Sequence, residues 1–327
     1  MATNSKSKKL SAALIDRGFR LLSYIGKDPV LVRLILLEPV DDFLARCHDG
    51  SILHLSRSGN RVELGFSHDD VDVLAALSIL RNRYVEDSQL PVPDVITIDI
   101  PCPTRRSSRR LVRRSFGRRV RWFQNPEDTY RTLYLNVDGL PSSSVTEELT
   151  VAIHRLSFMM DDRASFSSVL VPITAKQWSA DRAITNYSAG FLSVLSSSEV
   201  SKAVSIVSKQ FHAARRRRYY LLRRVATWGR LPSLFWPIIR LLQLTSPSET
   251  TILSNPGKIL DSQLSRIADA IYFVPPVRSR ATLGVGLLTI GSSTTLTLSG
   301  FANRRDLTRI AKALAELSNL RLDPACE

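Results

Sequence analysis

The segment Gly65-Phe-Ser-His-Asp-Asp-Val-Asp-Val73 links a strand-like run to a helix-like run and carries His68 and Asp72, four residues apart. A histidine at the end of a core-facing strand, held by the helix that follows, can serve as a general base. The same pattern also fits a hydrogen-bonded structural histidine followed by an aspartate that caps a helix. The local sequence leaves both interpretations open.

A β-hairpin is predicted just before this segment. Residues 52–57 and 61–67 alternate apolar and polar side chains about the turn sequence Ser58-Gly-Asn60. The apolar residues of the second run share one face: Val62, Leu64 and Phe66. Strand periodicity places His68 on that same face, so the predicted strand aims it toward the core.

The overall composition is that of an ordinary soluble globular protein. The chain has 327 residues, of which 44% are apolar and 23% charged. Its three cysteines are widely separated, which argues against a disulfide framework or a thiolate metal site and fits a reducing compartment. The five histidines form no HExxH or HxH pair, so no metal site is predicted.

The N-terminal sequence and the apolar runs predict a cytoplasmic protein. Residues 1–10 have the pattern of a short, basic, disordered tail without the apolar centre of a signal peptide. The apolar runs at 31–40 and 231–244 are interrupted by arginine and are shorter than the roughly 20 residues of a spanning helix.

The net charge of +15 is concentrated in two segments. Residues 105–121 hold nine arginines and residues 215–230 hold seven, and neither segment contains an acidic residue. The rest of the chain has 29 basic and 30 acidic residues, so its charge is nearly balanced. The basic character therefore belongs to these two arginine segments and not to the whole surface.

Several partners fit the arginine segments. Guanidinium groups bind phosphate, which indicates a polyanionic cofactor arm, an acidic carrier protein or nucleic acid. Trp228, Phe235 and Trp236 near the second segment also suit a peripheral helix on an anionic membrane. A solvated basic face without a partner is a further alternative. Nucleic-acid binding rests on charge alone and is the least favoured, since no nucleic-acid-binding motif accompanies it.

The order of predicted elements indicates an α/β protein with two lobes. Residues 9–50 are predicted to be mainly helical, and a helix is predicted over 71–85. Further strands are predicted at 131–137, 168–174, 184–196, 250–254 and 270–274, with helices at 142–159 and 198–227. A hairpin over 281–299 and a helix over 304–320 close the chain. The predicted lobes span residues 11–165 and 166–327.

Three motifs occur in an order that resembles a known superfamily. His68 and Asp72 come first, Thr185-Asn-Tyr187 follows an apolar strand in the middle, and Ser254-Asn-Pro-Gly257 comes late. This order resembles the condensation-domain and CoA-dependent acyltransferase superfamily, which includes alcohol acyltransferases and wax-ester synthases. The superfamily signature His-His-x-x-x-Asp-Gly aligns with residues 67–73.

The resemblance implies a chloramphenicol-acetyltransferase-like fold, with two lobes around a central channel and a reduced N-terminal lobe. It implies an acyltransferase in which His68 is the base and Asp72 fixes the loop. No bound cofactor is implied, because the donor would be acyl-CoA or a phosphopantetheinyl carrier protein. Ser67, Asn186, Ser254 and Asn255 would line the channel. The donor's phosphate or the acidic carrier would meet these arginines: Arg215, Arg216, Arg217, Arg218, Arg223 and Arg224.

Two positions depart from the superfamily signature. Ser67 stands where the first histidine is usual, and Val73 stands where glycine is usual. A β-branched residue at a tight turn would narrow the channel. The departures leave two alternatives to an active acyltransferase. One is a degenerate relative that binds a carrier protein, CoA or a partner enzyme without chemistry, and the other is a basic protein on a membrane surface or nucleic acid.

Overall fold

The computed structural model describes most of the chain. The described residues are 29–46, 52–67, 73–82, 118–123, 126, 129–174, 188–216, 250–275, 277 and 281–323. The strands among them are β1 (Pro29–Leu36), β2 (Ile52–Ser58), β3 (Arg61–Ser67), β4 (Arg131–Asp138), β5 (Phe166–Thr174), β6 (Ser188–Ser196), β7 (Thr251–Ser254), β8 (Lys258–Ile259), β9 (Ala268–Val274), β10 (Leu283–Ile290), β11 (Ser293–Gly300) and β12 (Arg321–Leu322). The helices are α1 (Val40–Arg46), α2 (Val73–Leu80), α3 (Val145–Met160), α4 (Ala203–Arg216) and α5 (Arg304–Ser318), with 3-10 turns η1 (Ser197–Lys202) and η2 (Leu264–Arg266).

The strands form two sheets. Sheet A has the order β2-β3-β1-β9, and sheet B has the order β12-β4-β11-β10-β7-β5-β6, with β8 beside β10. Strand β9 comes late in the chain but pairs with β1, near its beginning. Strand β4 joins sheet B although it precedes residue 165. Both sheets therefore mix strands from the two predicted lobe ranges, and the boundaries of those lobes stay a prediction.

The prediction of a mainly helical stretch over residues 9–50 is wrong for the part that the structure describes. Residues 29–36 form β1, the strand between β3 and β9, and only the short helix α1 follows it. Neighbours on both edges and packing on both faces bury its Val, Leu and Ile side chains almost continuously. A strand buried in this way loses the alternation that distinguishes it from a helix.

Two hydrophobic clusters lie on different faces of sheet B. The larger one packs α3, α4 and α5 against sheet B, and the smaller one packs α2 against sheet A. Strand β10 contributes to both, because Val285 and Leu287 face the helices whereas Leu288 and Ile290 face the smaller cluster. Sheet B therefore lies between the helical layer and sheet A.

Side-chain hydroxyls join the edge of sheet A to the face of sheet B. Thr295 Oγ1 donates to the carbonyl oxygen of Ile271 at 2.8 Å, and Thr297 Oγ1 donates to that of Phe273. Gly286 faces the same carbonyl of Phe273, and a Cβ at this position would collide with it. The threonines of β11 thus satisfy carbonyl groups of β9, and glycine permits the close approach.

The hairpins predicted about Ser58-Gly-Asn60 and Gly291 and the closing helix are confirmed as β2–β3, β10–β11 and α5. Within the ranges given above, no helix combines the length and the apolar composition that crossing a membrane requires.

Candidate active site

The structure places both flanks of the His68 segment. Strand β3 ends at Ser67, which pairs with Pro29 at the start of β1, and helix α2 begins at the buried residue Val73. His68 and Asp72 lie outside the described residues, as does the side chain of Ser67. The predicted strand before the segment and the helix after it are present, and the roles of His68 and Asp72 stay predictions.

Strand β3 presents two different faces. Val62, Leu64 and Phe66 are fully buried against α2, as their alternation predicts. The residues between them face the opposite side of sheet A, where Leu31 and Val274 contact the tyrosines in and next to β4. One face of β3 is thus packed into the core around α2, and the other face lies at the junction of the two sheets.

The late motif forms a turn that is fixed by its own asparagine. Ser254 ends β7, is 8% exposed and is in register with Gly286 of β10. Asn255 Oδ1 accepts a hydrogen bond from the backbone N–H of Gly257 at 2.9 Å, and its Nδ2 donates to Thr146 Oγ1 at 2.9 Å. The side chain of Asn255 therefore anchors this turn to the first turn of α3.

The second arginine segment begins beside the first turn of α3. Arg215, near the end of α4, lies with Nη2 2.7 Å from Oε1 of Glu147, the residue next to Thr146. Its side chain is 62% exposed, so the ion pair itself contributes little to stability. Asn255 and Arg215 thus each contact the first turn of α3, at the neighbouring residues Thr146 and Glu147. Strand β10 is next to β7 in sheet B, β1 and β9 follow β3 in sheet A, and β9 packs against β10. These three strands therefore lie between Ser254 and the end of β3.

The remaining predicted site residues lie outside the described residues. These are Asn186, Arg217, Arg218, Arg223 and Arg224, whereas Arg216 is the last residue of α4 and only its backbone is described.

Comparison with solved structures identifies the fold. The TRI3 trichothecene 15-O-acetyltransferase from Fusarium sporotrichioides matches with a TM-score of 0.55 at 10% sequence identity, over 85% of this chain and 72% of that chain. This chain has a condensation-domain-like acyltransferase fold. The α/β class and the chloramphenicol-acetyltransferase-like fold predicted from the motif order are thereby confirmed.

Two further solved structures match with lower TM-scores. The starter condensation domain of rhizomide synthetase has a TM-score of 0.49 at 10% identity, over 94% of both chains. The epimerization domain from the third module of tyrocidine synthetase B has a TM-score of 0.43 at 10% identity, over 83% of this chain and 71% of that chain. No family model and no curated protein sequence matches this chain.

A polar cluster at the junction of the two sheets was not predicted from the sequence. Tyr134 of β4 donates a hydrogen bond from its hydroxyl to Oε2 of Glu63 in β3, at 2.5 Å. The guanidinium carbon of Arg33 in β1 lies 4.1 Å from the centroid of the Tyr134 ring. His54 Nε2 lies 3.6 Å from the other oxygen of Glu63. These four side chains connect three strands of sheet A to one strand of sheet B in the acyltransferase fold.

In this cluster Glu63 is a charged hydrogen-bond acceptor and Tyr134 is a neutral donor. Burial raises the pKa of the Glu63 carboxyl, but its contacts with His54 and Tyr134 and the charge of Arg33 outweigh that effect. The pKa of Glu63 is therefore below its ordinary value of 4.5, and the group is ionised at neutral pH. Burial and the neighbouring negative charge raise the pKa of Tyr134 well above 10, so its hydroxyl keeps the proton that it donates.

A weak pattern in the sequence marks this cluster. Arg33 interrupts an apolar run, and Glu63 and Tyr134 lie on the polar faces of alternating strands. A polar face is ordinarily taken as the solvent face of a sheet. Here it is the face that meets the second sheet.

His154 lies on a predicted helix, where the sequence leaves a packing or a surface position open, and the structure shows it buried. Gln210 donates from Nε2 to the carbonyl oxygen of Val194 at 2.8 Å, so its Oε1 accepts from the hydroxyl of Ser193 at 2.6 Å. That hydroxyl must then accept from Nε2 of His154 at 3.0 Å, and Nδ1 accepts from Ser167 at 3.0 Å. Burial lowers the pKa of His154 to about 3, which keeps this neutral tautomer in place.

The sequence Asp161-Asp162 predicts a solvated helix end and not a metal-binding pair, and for Asp161 the prediction of a solvated position is wrong. Its side chain is almost completely buried at the end of α3. Its Oδ2 accepts a hydrogen bond from the backbone N–H of Arg121 at 3.1 Å, and Oδ1 lies 3.4 Å from Nη2 of Arg118. The end of the first arginine segment therefore covers this carboxylate, because a buried charge requires a partner. Asp162 beside it is exposed, as predicted.

Proposed function

We propose that this protein transfers an acyl group from a CoA or carrier-protein thioester to a hydroxyl or amine. The observation that carries the proposal is the acyltransferase fold together with the place of the motif in it, between the end of β3 at Ser67 and the start of α2 at Val73. Strand β3 and helix α2 are both packed into the core around α2, so each end of the motif has a fixed attachment.

In the proposed reaction His68 is the general base. Its neutral imidazole takes the proton from the acceptor's O–H or N–H while the oxygen or nitrogen attacks the thioester carbonyl. The tetrahedral intermediate then expels the donor's sulfur, and the imidazolium returns the proton to that thiolate. The products are the ester or amide and the free thiol. Asp72 is proposed to fix the loop and not to transfer a proton.

The second arginine segment is proposed to bind the donor. CoA carries phosphate groups, a carrier protein presents phosphopantetheine, and guanidinium groups bind phosphate in bidentate geometry. The contact of Arg215 with Glu147 supports this assignment, because the segment then begins at the same turn of α3 that binds Asn255. A carrier protein would contribute acidic side chains as well, which arginine complements at long range.

The test is release of free thiol from acyl-CoA substrates, assayed with amine and alcohol acceptors. We expect His68→Ala to lower kcat by about 10²–10⁴-fold, the usual contribution of a positioned general base. His212→Ala is the matched control, because His212 is an exposed histidine on α4, and it should keep wild-type activity. Equal turnover by the wild type and His68→Ala would refute the role of His68.

A degenerate binding protein is the second candidate, favoured by Ser67 and Val73 in place of the usual signature residues. It predicts saturable binding of CoA or of an acidic carrier protein with no thiol release by the wild type. Changing Arg215, Arg216, Arg217 and Arg218 to Ala should abolish that binding, whereas Arg309→Ala, an exposed arginine on α5, should not. Turnover that depends on His68 would exclude this candidate.

A further inference from the structure

A buried ion pair holds the far end of helix α2. Nε of Arg81, directly after the helix, lies 2.9 Å from Oδ2 of Asp261 in the segment that follows β8. The two side chains are only 12% and 7% exposed. Charged side chains are rarely buried to this degree unless they are paired, so each requires the other.

Asp261 is itself fixed in place. Its Oδ1 accepts hydrogen bonds from the backbone N–H groups of Gln263 at 2.9 Å and Leu264 at 3.4 Å, at the start of η2. That turn leads directly into β9, the strand that borders sheet A. The carboxylate that receives Arg81 is therefore attached to the sheet and is not free to follow the helix.

The chain that leads to Asp261 begins at Asn255, which is bound to helix α3 of the larger hydrophobic cluster. Asn255 binds Thr146 of α3, as described above, and six residues later Asp261 binds Arg81. The chain between them contributes Ile259 to the cluster around α2. Residues 255–261 thus form a strap that connects the helical layer of sheet B to helix α2.

Close packing and a polar contact together fix the position of α2. All eight of its residues are buried, so the surrounding side chains resist sideways movement of the helix. The ion pair adds an electrostatic attraction at the last turn, and this attraction opposes movement of the helix end away from Asp261. The helix is about 12 Å long at 1.5 Å per residue, so a shift at Arg81 is transmitted to Val73.

We propose that Arg81 and Asp261 are positioning residues for acyl transfer: they fix α2, and through Val73 they set the loop that carries His68 and Asp72. This inference rests on the proposed function. It assigns a role to the strap from Asn255 to Asp261 beyond lining a channel. The strap would connect the position of α2, and hence the segment before Val73, to the helical layer on sheet B.

The test uses a neutral version of the pair, Arg81→Met with Asp261→Asn. The introduced amide keeps an oxygen for the cap of η2, and removing both charges leaves no unpaired buried ion. We expect the double variant to keep a melting temperature close to that of the wild type. We expect kcat to fall about 10–100-fold with KM little changed, because a misplacement near 1 Å is enough for such a loss. Backbone amide hydrogen exchange in residues 67–73 should become faster.

The matched control is the exposed ion pair between Arg57 and Asp41, whose side chains lie 2.6 Å apart. Arg57→Gln with Asp41→Asn should leave both kcat and exchange in residues 67–73 unchanged. If the neutral pair fails to fold, Arg81→Lys keeps the charge without the guanidinium geometry and should show the same changes to a smaller degree.

A folded variant of the Arg81–Asp261 pair with wild-type kcat and wild-type exchange would overturn the positioning role. The exchange measurement needs no turnover, so it decides this point even if the wild type proves inactive. Inactivity of the wild type would refute the proposed function and leave the exchange result as the test of the strap.

Discussion

Lowering the pH from 7 to 5 should destabilise the folded protein by about 2 kcal/mol through His154 alone. Burial depresses the pKa of this imidazole from 6.5 to about 3, so the unfolded chain takes up a proton in this interval and the folded chain does not. Each pH unit below 6.5 then costs about 1.4 kcal/mol of the free energy of unfolding, until the pH approaches the folded value. The stability that the folded protein has with neutral His154 is fully present above pH 6.5 and is lost progressively between pH 6.5 and 3.

The assay is urea unfolding at pH 7 and pH 5, followed by tryptophan fluorescence, for the wild type and His154→Gln. The variant removes hydrogen bonds to Ser167 and Ser193 and should be less stable at pH 7 by about 1–3 kcal/mol. Its loss of stability between pH 7 and 5 should be smaller than that of the wild type by about 2 kcal/mol. His212→Gln, at an exposed position, should retain the full pH dependence.

The decisive quantity is the difference in pH dependence, and not the stability of either protein at one pH. Other titrating groups contribute equally to the wild type and the variant and cancel in this difference. A wild type and a His154→Gln variant with the same loss between pH 7 and 5 would refute the argument. That result would mean that the folded protein accepts a proton at His154, in conflict with the bonded chain from Ser167 to Gln210.

Three further substitutions test other parts of the structure by urea unfolding at pH 7. Tyr134→Phe removes the hydroxyl donor from the half-buried Glu63 carboxylate and should cost about 1.5–3 kcal/mol. The cost should be smaller in a Glu63→Gln background, and additive losses would show that the two groups do not interact. Gly286→Ala should cost about 1–3 kcal/mol, because the new methyl group meets the carbonyl of β9, and an unchanged stability would contradict that close approach. Asn255→Ala removes the bonds to Thr146 and to the turn backbone and should cost about 1–2 kcal/mol, whereas a neutral result would show that the turn holds without its side chain.

Local periodicity predicted the elements that bury one face. The hairpin of β2 and β3 was predicted because Val62, Leu64 and Phe66 alternate with polar residues about a glycine turn. Helix α5 was predicted because its apolar residues repeat at helical spacing, and its Asn303 cap accepts from the backbone N–H of Asp306. Strand β1 was missed, because a strand that is buried on both faces shows a continuous apolar run.

The contacts between sheets were beyond the reach of the sequence. No short-range sequence signal predicts the pairing of β1 with β9, because more than 200 residues, including several strands of sheet B, separate the two strands. The polar face that carries Glu63 and Tyr134 matches the pattern of a solvated face, and only the packing of two sheets makes it interior. The order of motifs predicted the fold, whereas the pairing of Arg81 with Asp261 depends on tertiary structure alone.

The pairing of β1 with β9 has a consequence for synthesis of the protein on the ribosome. Residues 29–36 emerge early, but the strand that covers their second edge is residues 268–274 and emerges near the end. During translation β1 therefore presents an apolar, hydrogen-bonding edge for most of the time that the chain is growing, and such edges recruit other strands. Folding of sheet A is expected to be slow and late, since its closing contact spans most of the polypeptide. A chain that stops before residue 268 would expose this edge permanently and would tend to aggregate.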